Sequence, residues 1–230
     1  MFRYPVKFDQ YIQDVQKSID YILKIVRTPK VDKIIAGDLI NISPSSGTGN
    51  VTISVDRAAL HSGGLYAQTA DSIPITGTTL PGNLIDGGVG TLSVPANGFQ
   101  VGDSFIAYFS GDISCVNNET IHIHCYSDGQ ALADTGIVTL NATTNKSWEM
   151  FINFTIRTIG PAGVASIATS GRFSYNKNSN NSPESIGFYS LNNTTFDTTV
   201  NNTLQVTAQW GSANILNTIY TRVFNLYRIY

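Results

Sequence analysis

Large apolar residues hold every second position from Trp148 through Met150, Ile152, Phe154 and Ile156, interleaved with Glu149, Phe151, Asn153, Thr155 and Arg157. A period of two sends successive side chains to opposite sides of a strand, so such a segment has one face for a core. The pattern returns in Leu204, Val206, Ala208 and Trp210, set among Thr203, Gln205, Thr207 and Gln209, and in Val51, Ile53 and Val55. Further strands are expected at 64–69, 72–76, 89–94, 103–110, 120–126, 136–141, 164–169, 171–177 and 186–190. Turn formers separate them, as in Pro81-Gly82-Asn83, Asp86-Gly87-Gly88, Ala96-Asn97-Gly98, Asn117-Asn118 and Ser127-Asp128-Gly129. Many short strands with no helical period between them predict an antiparallel sandwich. Eight or more strands over about 180 residues suit a jelly roll better than a seven-stranded immunoglobulin-type domain. The expected fold is all-β: a single jelly-roll β-sandwich at 70–230, with a β-rich neck at 34–69 and an N-terminal helical segment at 1–33.

That first segment follows another rhythm. Phe8, Ile12, Val15, Ile19, Ile22 and Val26 are spaced alternately four and three apart, which is a heptad seam. Asp9, Asp14, Lys17, Asp20, Lys24 and Arg27 lie off the seam, and Pro29 ends it. With Ile12, Ile19 and Val26 at position a, Phe8, Val15 and Ile22 fall at d. β-branched residues at both positions favour three or more strands over two. The charge also changes here: residues 1–33 hold seven Lys/Arg against four Asp, and the rest of the chain holds seven basic against twelve acidic groups.

Only 13% of the residues are charged, against about 25% in an average soluble domain. Since 42% are apolar, uncharged polar residues must fill the gap, and they do so in runs such as Asn178–Asn181, Asn192–Thr195 and Thr198–Thr203. Disordered chains combine low hydrophobicity with high charge, so disorder is not expected. The near-balanced net charge of −2 argues against a nucleic-acid surface. No stretch reaches the ~18 apolar residues of a membrane helix, so no membrane insertion is expected. The N-terminus lacks the apolar run of a signal peptide.

Catalytic patterns are sparse. Glu119, Glu149 and Glu184 are the three glutamates, and no nucleophile elbow or phosphate loop occurs. Ser46-Gly47-Thr48-Gly49 precedes a strand and lacks a phosphate loop's lysine. Neither an enzyme nor a cofactor is expected. His122 and His124 form a His-x-His on one strand face, a weak metal candidate that needs a third ligand from elsewhere; no metal is expected. Cys115 and Cys125 flank the turn at 117–119, where a hairpin would place Cys115 opposite residue 121 or 122, so two free thiols are expected. The last strand, 219–230, is apolar on both sides, with Tyr220, Phe224, Leu226 and Tyr230 on one face and Ile219, Val223, Tyr227 and Ile229 on the other. Burial of both faces suggests a subunit contact.

Ala36-Gly-Asp-Leu-Ile-Asn-Ile-Ser-Pro-Ser-Ser-Gly-Thr-Gly-Asn-Val-Thr-Ile-Ser-Val55 resembles the short β-repeat of tail fibres of phages and large DNA viruses. The body from Ala70 resembles jelly-roll head and capsid-associated proteins of such viruses. The resemblance is carried by Gly90-Thr-Leu-Ser-Val-Pro-Ala-Asn97, Phe99-Gln-Val-Gly-Asp-Ser-Phe105, Thr194-Thr-Phe-Asp-Thr-Thr-Val200 and Leu204-Gln-Val-Thr-Ala-Gln-Trp210. It implies a non-enzymatic virion structural protein, located at the capsid surface or vertex.

Two structural roles are compatible with these features. One is an oligomeric spike or fibre head, a homotrimer assembled by the helical seam and Tyr220, Phe224, Leu226 and Tyr230, with possible host attachment. The other is a penton or minor capsid protein, pentameric at a vertex and partnered by other capsid proteins. A third expectation is a lectin-like head that binds a host-surface glycan through Tyr126, Tyr175, Tyr189 and Trp210, since aromatic rings beside Asn and Asp suit sugar stacking.

Overall fold

The computed structural model describes residues 6–27, 40–43, 51–55, 63–179 and 182–230, with the side chains of 6–9, 24–27, 40–41 and 54–55 excepted. Pro29 and Ser46–Gly49 lie outside the described residues, as do the side chains of Phe8 and Val26. The chain divides into two compact units, 1–60 and 61–230.

In the first unit, helix α1 (Val6–Arg27) covers the heptad segment, and every described side chain from Gln10 to Leu23 is exposed. Strands β1 (Ile40–Ser43) and β2 (Thr52–Val55) pair antiparallel, with Ile42 opposite Ile53.

The second unit begins with five short strands, β3 (Gly63–Gln68), β4 (Ile75–Thr76), β5 (Gly82–Asn83), β6 (Gly88–Gly90) and β7 (Ser93–Val94). Eight longer ones follow: β8 (Ser104–Cys115), β9 (Glu119–Ser127), β10 (Gln130–Leu140), β11 (Thr143–Thr158), β12 (Ser166–Asn176), β13 (Pro183–Asn192), β14 (Asn202–Trp210) and β15 (Thr218–Arg228). They form two antiparallel sheets. The larger runs β13-β12-β11-β8-β15-β3-β6 with β4 beside β15, and the smaller runs β10-β9-β14-β5 with β7 beside β14. Taking β3, β5, β8, β9, β10, β11, β14 and β15 as eight strands in chain order, the first pairs with the last, the second with the seventh, the third with the sixth and the fourth with the fifth. That is a jelly roll, a long antiparallel ribbon wound into two sheets. The β12–β13 hairpin widens the larger sheet beyond it. Since β3 belongs to that sheet, the sandwich starts before residue 70, inside the segment expected as neck.

Alternation builds the core as expected. Trp148, Met150, Ile152, Phe154 and Ile156 are buried, as are Val206, Ala208 and Trp210. Aromatic rings cross the inner face of the larger sheet in one row. Tyr66 lies 5.6 Å from Phe224, Phe224 stacks on Phe109 at 4.4 Å, and Trp148, Phe173 and Tyr175 continue it at 6.5, 5.9 and 6.1 Å between ring centres. Offset and tilted contacts of this kind add to the burial of large apolar area.

The last strand does not have the two faces expected. Its pairing with β8 shifts register between Thr221 and Val223, so a bulge at Arg222 reverses the alternation. Ile219, Thr221, Phe224 and Leu226 are buried, while Val223, Tyr227, Ile229 and Tyr230 are exposed. Phe224 and Leu226 are therefore core residues of their own sandwich and cannot be subunit contacts. The segments 164–169 and 171–177 also form one strand, β12, running through Gly171.

Candidate functional site

The turn after β8 leads into the other sheet and not into a hairpin, because β8 and β9 belong to different layers. Cys115 and Cys125 thus lie on separate sheets, both buried and both free. Burial pushes the Cys115 thiol up to about 11 and Cys125 higher still, so both stay protonated at neutral pH.

The expected glycan residues do not gather. Trp210 is buried and donates its indole N–H to the Ile75 carbonyl at 2.9 Å. Tyr175 is buried too, with its hydroxyl donating to Glu184 and accepting from the Asn141 N–H at 2.9 Å. Both rings are structural, and neither is open to a sugar. Tyr189 is 90% exposed on β13, and Tyr126 is half-buried on β9, in the other sheet. Tyr220 is half-buried, with its hydroxyl bonded to Asp112 and to the Arg222 guanidinium.

Two places retain the features of a site. One is the helical seam, where Ile12, Val15, Ile19 and Ile22 are 52%, 39%, 44% and 57% exposed. The other lies on the outer face of the smaller sheet. His122 and His124 project from β9 with ring centres 3.7 Å apart, and Tyr126 stacks on His124 at 5.5 Å. Antiparallel pairing brings β10 alongside, with Asp134 opposite His124. The β10 ladder shifts register between Asp134 and Ile137. In that bulge Gly136 takes a φ of +64° and its N–H donates to Asp134 Oδ1 at 2.7 Å, which fixes the carboxylate. Asp134 Oδ1 then lies 3.2 Å from His122 Nε2.

No family model matches the chain, and no curated protein does.

Charge follows from this geometry. Burial works to raise the Asp134 carboxyl, but the Gly136 N–H and the two imidazoles outweigh it and hold it below the usual Asp range. Burial first, then the neighbouring His122, lowers His124 below the ordinary histidine value, against a smaller upward pull from Asp134. An anionic carboxylate therefore sits beside a largely neutral His124 at pH 7. The sequence could flag His122 and His124 by their spacing. Asp134 carries no such signal, because only the cross-strand register places it opposite His124.

Proposed function

We propose that this chain is a structural display protein, a homotrimeric spike or fibre head of a virion whose N-terminal helix joins the copies and whose jelly roll faces outward. The exposed seam is the observation that carries this reading. Helices in proteins owe most of their stability to packing of an apolar face, yet α1 presents Ile12, Val15, Ile19 and Ile22 to solvent. Other copies of the same helix cover such a seam knob into hole, and its β-branched residues favour three strands. The resemblance of 36–55 to fibre repeats and of the body to viral head proteins supports the virion setting. Low charge with Asn- and Thr-rich segments suits a durable particle component.

Light scattering on the full chain is expected to give three times its 24.9 kDa mass. Ile19→Asp combined with Ile22→Asp should give monomers that keep the circular dichroism of the sandwich. A monomeric wild type overturns the assembly, and an oligomer that survives both substitutions removes the seam from it. On intact particles, antibodies to 61–230 should bind and antibodies to 1–33 should not.

A further inference from the structure

We propose that His122, His124 and Asp134 bind a divalent transition-metal ion of the zinc class on the outer face of the smaller sheet. Their donor atoms all lie within 4.8 Å of one another. Two ligands bonded at about 2.0 Å to a tetrahedral ion stand about 3.3 Å apart. His122 Nε2 and Asp134 Oδ1 are 3.2 Å apart, already at that spacing. His122 Nε2 is also shielded from solvent, and its approach to the carboxylate oxygen is not aligned as a hydrogen bond. An imidazole nitrogen and a carboxylate oxygen held at this spacing are two ligand atoms that one divalent cation can bridge. Thr207 points outward from β14 in register with His124, and its hydroxyl is likewise buried without a partner. It is placed to hydrogen-bond a water on the ion's open position.

Donor chemistry selects the ion. Two nitrogens and one oxygen suit zinc, copper or nickel, whereas calcium and magnesium require oxygen ligands throughout. The site is also rigid on its protein side. The histidines are two residues apart on a central strand of the smaller sheet, and the bulge holds Asp134 through Gly136, so little side-chain ordering remains for binding. This inference is independent of the proposed assembly, since all four residues belong to one sandwich.

The test is calorimetric titration of zinc chloride at pH 7.5 into the full-length chain after treatment with a chelator. One zinc per chain is expected, and cobalt in its place should give the visible absorption of a four-coordinate site. Asp134→Asn, His122→Ala and His124→Ala should each weaken zinc at least tenfold, while His61→Ala should leave it unchanged. Asp134→Asn keeps the side-chain shape, and unchanged tryptophan emission verifies its fold. Absence of saturable zinc binding overturns the proposal. So does affinity that is unaffected by Asp134→Asn, or lost in His61→Ala.

Discussion

Glu119 shows what a single buried carboxylate does at the seam between layers. It follows the turn where the chain leaves β8 for β9, and its two oxygens accept four hydrogen bonds. Thr120 N–H and Ser212 N–H reach Oε1 at 3.0 and 3.1 Å, and Ser212 Oγ and Asn217 Nδ2 reach Oε2 at 2.5 and 2.6 Å. Burial alone would raise its carboxyl, but the Ser212 hydroxyl and the other donors together hold it below the ordinary Glu value of 4.5. Glu119→Gln puts an amide NH2 where two donors already point, and is expected to destabilise by about 2 kcal/mol, a loss of roughly 4–8 °C in Tm. The fold binds the ionised form, so this stabilisation is complete above the ordinary value and fades as pH falls below 4.5 toward the lowered one. Thermal melts of both proteins from pH 7 to pH 3 should therefore converge, and a gap that stays constant would show that the carboxylate charge is not what counts. Glu119 could be placed in a turn from its neighbours Asn117 and Asn118. Its partners Ser212 and Asn217, some ninety residues on, could not be read, because nothing local records them. Tyr175 and Trp210 are illegible for the same reason: an aromatic among polar residues looks alike whether its polar atom meets solvent or a distant partner in the fold, Glu184 and Asn141 for the one and the Ile75 carbonyl for the other.

At the scale of elements, β8 and β15 meet too closely for an ordinary side chain at one point. A Cβ on Gly111 would come within 2.0 Å of the Tyr220 carbonyl and 2.9 Å of the Thr221 Cα and of Trp148 Nε1. The close approach lets the Trp148 indole N–H reach that same Tyr220 carbonyl at 3.0 Å. Immediately after it, β15 bulges at Arg222. Gly111→Ala must push β15 backbone away and break the indole bond, so a loss of about 3 kcal/mol is expected from urea unfolding followed by tryptophan fluorescence. A variant as stable as the wild type would mean that the two strands have room to part. Strand existence was legible from alternation in the long segments, since burial of one face imposes the period on the sequence. Strand ends and faces were less so. The bulge in β15 inverts the alternation without any Gly or Pro to announce it, and Gly171 looked like a break in β12. Its hydrogen instead makes room for the Phe188 ring, whose Cζ would lie 2.3 Å from a Cβ there.

For the whole molecule, the change of period near residue 34 carries the main consequence, because it separates two kinds of stability. The jelly roll buries both tryptophans, Trp148 and Trp210, in its own core, so their emission reports on that core. α1 buries none of its described seam residues, so its helicity must depend on what covers Ile12, Val15, Ile19 and Ile22. If copies of the helix cover them, mass action makes its melting depend on protein concentration, whereas the melting of the sandwich itself is set within one chain. Ellipticity at 222 nm, to which the helix contributes most per residue, should then show a transition that moves up in temperature as the protein is concentrated a hundredfold. Tryptophan emission should show one that moves far less. Helical melting that ignores concentration would mean that the seam is covered from within the same chain, and the trimer would fall with it.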